Sequence, residues 1–193
     1  MVNLELTSSA FRNGEEIPTR YGYKNENISP PLTINGVPEG TKSLALIMDD
    51  PDAMGAVGKV WVHWVVFNHS PSVTVIPEGL HTEKLRITSK HWVEHSPDSK
   101  NSSSKFLRQL QEIGQFNDVH IGLQGLNDFD FIGYGGPAPP DKRHTYVFTL
   151  YALNIHELKG IPNVGSPGTK SDIEKAMEGH ILEQATLTGT YAP

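Results

Sequence analysis

Two aspartates, two histidines and a tyrosine are the side chains here best suited to chemistry. Asp50 and Asp52 bracket a proline in Asp50-Pro51-Asp52. Such a segment favours a turn whose Asp side chain caps backbone amides, yet the same carboxylates can charge a neighbouring imidazole. His63 stands among Trp61, Val65 and Phe67. A histidine in an apolar strand must satisfy two ring nitrogens, either with a core carbonyl or with an acid lining a cavity. His144 and Tyr146 are two residues apart, so on a strand they share one face. Together they offer an imidazole and a phenol as donors to an anion. They follow Gly133-Tyr134-Gly135-Gly136-Pro137-Ala138-Pro139-Pro140, a loop with three glycines and three prolines. Glycine lets a ligand come close to the backbone, and proline stiffens the loop. A plain connection between strands is the alternative for that loop.

Other chemistry has less to stand on. His91 and His95 have the i, i+4 spacing of two metal ligands on a helix. The order His-Glu-x-x-His is absent, and a serine-rich run adjoins them, so no metal is expected there. The sequence holds no Gly-x-Ser-x-Gly elbow, no phosphate-binding Walker loop and no dinucleotide fingerprint. No cofactor is expected.

Alternating apolar patterns supply the elements that must position these residues. Lys42–Met48 predicts a buried strand that stops at the Asp50 turn. Lys59–Phe67 predicts a second. Strict alternation puts Val60, Val62, Trp64 and Val66 on one face and Trp61, His63, Val65 and Phe67 on the other. Both faces are apolar, so the strand is expected to be central and covered on both sides. His144–Leu153 predicts a third, rich in β-branched and aromatic residues. Ser171-Asp172-Ile173-Glu174 reads as a capping box for a helix with Ile173, Ala176, Met177 and Ile181 on one face. Ala185–Tyr191 reads as a closing strand. Segment 81–120 differs, with five serines in the nine residues Ser96–Ser104 and then Phe106, Leu110 and Ile113 at helical spacing. It is expected to be an insertion, a serine-rich loop plus a short helix. The pattern as a whole predicts a mostly β, sandwich-type fold with peripheral helices.

Composition narrows the function further. The chain has 193 residues, suiting one domain over 1–193. Gly (18) and Pro (14) are enriched, as expected for many turns. Without cysteine, disulfides, thiol nucleophiles and thiolate-held metals are excluded. A net charge of −6 lacks the basic footprint of a nucleic-acid binder. No apolar run is long enough for a spanning helix, and Met1–Leu6 does not open like a signal peptide, so a cytoplasmic protein without an integral membrane segment is expected.

Four stretches in order identify a family. They are Asp50-Pro51-Asp52-Ala53, Trp61-Val62-His63-Trp64-Val65-Val66-Phe67-Asn68, the loop Gly133–Pro140, and His144-x-Tyr146-x-Phe148. With Ala176-Met177-Glu178-Gly179-His180-Ile181-Leu182, they make the chain resemble the phosphatidylethanolamine-binding protein family, which includes the Raf kinase inhibitor protein. The likeness is to the shorter bacterial and archaeal branch, without the long C-terminal extension of eukaryotic members, and it spans most of 1–80 and 121–193. It implies a β-sandwich of a large and a smaller sheet, with a small pocket for phosphate-like anions and phosphorylated head groups. Carried over residue by residue, the pocket is lined by Asp50, Asp52, His63, His144 and Tyr146, with Trp61, Tyr134, Gly135, Gly136 and Pro137 nearby. Three positions depart from the family pattern. Met54 replaces a proline, Thr145 an arginine that Arg143 could stand in for, and Ala138 a frequent cysteine.

In this reading the aspartates raise the pKa of His63 or His144, a cationic imidazole and Tyr146 contact the anion, and loop amides add donors. The expected function is binding of a small anionic or phosphorylated ligand, with regulation of a kinase or protease partner and a homodimer implied by the resemblance. Two alternatives stay open: a hydrolase or lyase using an Asp–His pair as base, and a metal-binding protein using the histidines and a carboxylate.

Overall fold

The computed structural model describes residues 3–80, 122–159, 161 and 168–193. Expectations for 81–120, including His91 and His95, lie outside the described residues. Among the described residues the strands and α-helices run in the order β1 (Glu5–Thr7), β2 (Leu32–Asn35), β3 (Ser43–Asp50), α1 (Ala53–Val57), β4 (Trp61–His69), β5 (Val75–Ile76), β6 (Leu123–Gln124), β7 (His144–Leu153), α2 (Lys170–Met177) and β8 (Ile181–Tyr191), with a short 3-10 turn at Thr19–Tyr21 between β1 and β2. The strands form two antiparallel sheets, a small one in the order β1-β2-β5 and a large one in the order β6-β4-β3-β7-β8. The fold is mostly β, with few helices.

Both faces of the large sheet are covered, which explains why β3 and β4 are apolar on both sides. Toward the small sheet, Leu44, Leu46, Met48, Trp64, Val66, Tyr146, Phe148 and Leu150 meet Leu6, Leu32, Ile34 and Ile76. On the other face, Ala45, Ile47, Val65, Phe67 and Leu153 pack with Ile173 and Met177 of α2. Fully burying each such side chain removes apolar area worth about 1.5–3 kcal/mol. Lys170 fastens α2 to β3 through a 2.6 Å bond to Asp49.

Three details differ from the sequence expectation. The capping box lies two residues earlier, with Thr169 as N-cap and Asp172 as its partner. Both Thr169-x-x-Asp172 and Ser171-x-x-Glu174 satisfy the pattern, and the helix takes the first. Ile181 belongs to β8 and is exposed, since the helix ends at Met177 and the chain reverses through Gly179, whose φ is +76°. β8 is therefore longer at its start than expected.

Candidate functional site

The large sheet brings three strand ends together. β3 ends on Asp50, β4 begins on Trp61 opposite it, and β7 begins on His144 on the other side of β3. Leu44, Leu46 and Met48 of β3 face the small sheet, as do Tyr146, Phe148 and Leu150 of β7. Alternation then carries Asp50 to that same side.

His63 reaches this side by a different route. On β4, Trp64 pairs with Met48 and Val62 with Asp49, so His63 is an extra residue with no partner of its own on β3. A β-bulge of this kind re-aims side chains. Val62 consequently packs with the α2-side core, while the His63 ring stands edge-on to Tyr146, 5.1 Å between centroids. Strict alternation assigned Trp61 and His63 to the Val65 and Phe67 face. The bulge instead gives both to the side of Asp50 and Tyr146, where each meets Phe129.

The polar contacts sort the histidines into two kinds. His144 is fully buried, with Nδ1 2.7 Å from Asp50 Oδ2 and Nε2 2.9 Å from Asp141 Oδ1. Both partners are carboxylates, so both ring nitrogens donate and the imidazole is cationic. Burial alone pushes its pKa down, but the bonds to Asp50 and Asp141 outweigh that and hold it above its ordinary value. His63 Nδ1 instead donates to the carbonyl of Gly135 at 2.7 Å. Burial pushes its pKa down to about 4, against a smaller opposing effect of the Gly135 bond. Thus, of the two histidines expected to be charged by an aspartate, Asp50 charges His144 and leaves His63 neutral.

Asp50 is itself buried, and its second oxygen accepts the Ala53 N–H at 3.1 Å, which fixes the start of α1. Asp52 is exposed and accepts the Thr145 N–H at 2.8 Å, tying the Asp-Pro-Asp turn to β7. The Tyr146 hydroxyl is buried and has no partner in good hydrogen-bond geometry, although the Asp50 carboxylate and the Ala138 N–H lie near it. Burial and the nearby Asp50 charge raise its pKa strongly, so it stays protonated. Trp61 Nε1 is a second buried donor without a partner, and the Lys59 ammonium sits 4.8 Å above the Trp61 ring.

The Gly-Pro loop forms the wall of the site. The Gly135 N–H donates to the His63 carbonyl, reciprocating the ring's bond, and the Gly136 N–H donates to Asn27 Oδ1 at 2.7 Å. These amides were expected to be free donors, but the chain's own acceptors already hold them. Pro137 accepts from Tyr23 N–H, and the Tyr134 hydroxyl donates to the Tyr21 carbonyl while its ring packs on Trp64. The two glycines serve close packing. A Cβ on Gly135 would lie 2.5 Å from the Phe129 ring, and one on Gly136 would overlap the backbone of Tyr21. Arg143 pairs with Glu16 and donates to Thr190 Oγ1, so it does not stand in for the arginine missing at Thr145. Met54 is exposed on α1.

Several contributors went unmarked in the sequence. Asp141 closes the outer side of His144. Phe129 packs edge-on to Trp61 and His63 and stacks on Tyr23. Asn127 holds that loop by accepting from the Phe129 and Phe131 N–H groups and donating to the Gly133 carbonyl. An acid three residues before a strand-opening histidine was the one available signal for Asp141. Elsewhere, a shallow depression of about 270 Å³ between β1 and β8, lined by Leu6, Phe11, Arg12 and Leu187 among others, holds no histidine. Among the described residues no cluster of three His, Asp or Glu side chains is placed to hold a metal ion, and no helix is long and apolar enough to cross a membrane.

Comparison with known proteins bears on this arrangement. The family model for phosphatidylethanolamine-binding protein matches residues 7–192. A UPF0098 protein of Methanothermobacter thermautotrophicus is 38% identical over 188 residues, covering 97% of this chain and 98% of its own. A homologue of phosphatidylethanolamine-binding protein from Chlamydia trachomatis superposes with a TM-score of 0.71 at 33% identity, covering 99% of this chain and 98% of the other. YbcL of E. coli, described as a member of the mammalian family, gives 0.71 at 28% identity, covering 98% of each chain. With the match extending across nearly all of both sequence and fold, the chain belongs to the phosphatidylethanolamine-binding protein family.

Proposed function

We propose that this chain binds the phosphate group of a small phosphorylated ligand, with His144 as the charged donor and Tyr146 as the neutral one. The observation that supports this reading is the Tyr146 hydroxyl, buried with no well-formed hydrogen bond although the Asp50 carboxylate and the Ala138 N–H lie near it, beside an imidazole bonded to two carboxylates. A buried polar group left unsatisfied costs about 1–3 kcal/mol. A ligand oxygen would supply the missing acceptor. Trp61 Nε1 adds another unpartnered donor, and donors without acceptors suit an anion. Asp50 would repel an anion on its own, so its role is to keep His144 charged and oriented. Neutral His63 retains an acceptor at Nε2, which suits the P–OH of a phosphate monoester. Asp52 braces the rim, and Tyr134, Gly135, Gly136 and Pro137 shape the wall. Regulation of a kinase or protease partner and a homodimer belong to the same reading and rest on family resemblance, while a cytoplasmic location rests on the sequence pattern.

Calorimetric titration with phosphorylethanolamine tests it. Saturable binding is expected, weakened about tenfold or more in His144→Ala and Tyr146→Phe, in line with the worth of a hydrogen bond to a charged group. Equal affinity in the parent and both variants would overturn it. One observation favours a second reading. An acid fixing an imidazole, as Asp50 does His144, is an arrangement used in base catalysis. With both nitrogens protonated His144 is a poor base, which leaves neutral His63 for that role. Turnover of phosphoesters or carboxylic esters that is lost in His63→Ala would favour catalysis over binding.

A further inference from the structure

His144, the charged donor of the proposed site, has no vacant nitrogen. Nδ1 is taken by Asp50 and Nε2 by Asp141. The two carboxylates are held very differently. Asp50 is buried and carries a second bond from the Ala53 N–H. The Asp141 side chain is 51% exposed, and His144 is its only side-chain partner among the described residues. It sits in the turn between Pro140 and β7, so it stands between the buried ring and water.

We propose that Asp141 is a built-in competitor for the ligand: its carboxylate occupies the seat on His144 Nε2 that a phosphate oxygen takes, and binding exchanges one anion for the other. The inference rests on the phosphate reading above. Charge balance supports an exchange over an addition. Asp50 and the imidazolium neutralise each other, and Asp141 supplies the remaining negative charge. An incoming phosphate monoanion restores that count only if Asp141 leaves, because two anions sharing one donor repel. Release costs little, since a half-exposed carboxylate regains water as it swings out and a partly exposed ion pair contributes little. Asp50, buried and doubly bonded, has no such freedom.

Such a competitor lowers the affinity of every anion at that seat by the same factor, so selectivity comes from contacts beyond it. A carboxylate ligand merely replaces Asp141 with its like. A phosphate group has further oxygens to offer the unpartnered Tyr146 hydroxyl, so it gains where a carboxylate does not.

The test uses the whole chain as parent, Asp141→Ala, Asp141→Asn and Glu157→Gln. Glu157 is an exposed acid just past the far end of β7, so its variant loses the same charge away from the site. Each protein is titrated calorimetrically with inorganic phosphate, phosphorylethanolamine and acetate. Both Asp141 variants are expected to bind phosphate about five- to tenfold tighter than the parent, Asn gaining less because its amide oxygen still accepts from Nε2, while Glu157→Gln matches the parent. Acetate affinity should rise by a similar factor in Asp141→Ala, leaving the preference for phosphate over carboxylate unchanged. A gain seen with inorganic phosphate assigns the exchange to the phosphate group itself. A gain confined to phosphorylethanolamine assigns it to the complete head group. Saturable binding by the parent with no gain in either Asp141 variant would overturn the competitor and leave the phosphate reading standing. No binding of phosphate or phosphorylethanolamine by any variant would overturn both.

Discussion

His63 and His144 are both buried histidines near the same aspartate, and what faces each ring nitrogen decides its charge. His63 donates to a carbonyl and gains no charged partner, so burial prevails and its pKa falls to about 4. His144 faces Asp50 and Asp141, and its pKa rises. Histidine-resolved NMR titration should find His63 losing its proton at lower pH than His144; the reverse order would refute the assignment. The two also link oppositely to stability. The His144 contribution is full below the unfolded pKa and is lost as pH rises through its folded value. For His63 the unfolded chain takes up the proton first, so stability falls as pH drops from 6.5 toward 4, by about 3 kcal/mol in all. Urea unfolding at several pH values should show this loss in the parent and a smaller one in His63→Asn. Tyr146→Phe should separate stability from binding. Removing an orphan hydroxyl is expected to leave stability unchanged or to raise it by up to about 1 kcal/mol, while phosphate affinity drops. A large destabilisation would mean that the hydroxyl has a structural partner. The residue types of the site were legible in the sequence because chemistry-bearing side chains are few. The pairings were not, since nothing in spacing alone tells whether Asp50 meets His63 or His144.

At the level of elements, the β4 bulge and the Gly-Pro loop do the positioning. Period-two alternation revealed β3, β4 and β7, and the His144–Leu153 bounds hold as expected. It could not reveal the bulge, because Val62, Trp64 and Val65 are apolar and either face accepts them. Only pairing with β3 shows His63 to be the extra residue. Helix α1 escaped notice because five residues including Gly55 carry no helical period. The loop's glycines looked like room for a ligand. Their packing against Phe129 and Tyr21 shows that the room is filled by the protein itself. Substitution here should therefore cost stability before it costs binding. Gly136→Ala drives a methyl into backbone and is expected to cost about 3 kcal/mol or more, and Gly135→Ala less, since the Phe129 ring can shift. Denaturant midpoints check the order. Equal and negligible losses would contradict the close packing.

On the scale of the whole molecule, one end of the five-stranded sheet gathers Asp50, Trp61, His63, His144 and Tyr146 from three strands, while the small sheet and α2 bury its two faces. The large sheet's order was not legible in the sequence, because which strands neighbour one another depends on long-range pairing. The family resemblance supplied the two-sheet architecture and the grouping of the site residues, but not the strand order. A chain with net charge −6 that binds an anion must do so through a local, desolvated site rather than its overall field. Ligand should then stabilise the fold by mass action. Saturating phosphorylethanolamine at about 100 times Kd adds about 2.7 kcal/mol, a rise of several degrees in Tm that is absent in His144→Ala. The most direct measurement of the central claim follows the ring nitrogens of His144 by NMR during phosphate titration. The expected result is a saturable shift at His144 Nε2 that requires much higher phosphate in Tyr146→Phe. A His144 resonance that stays fixed up to roughly 10 mM phosphate, while other sites respond, would contradict it.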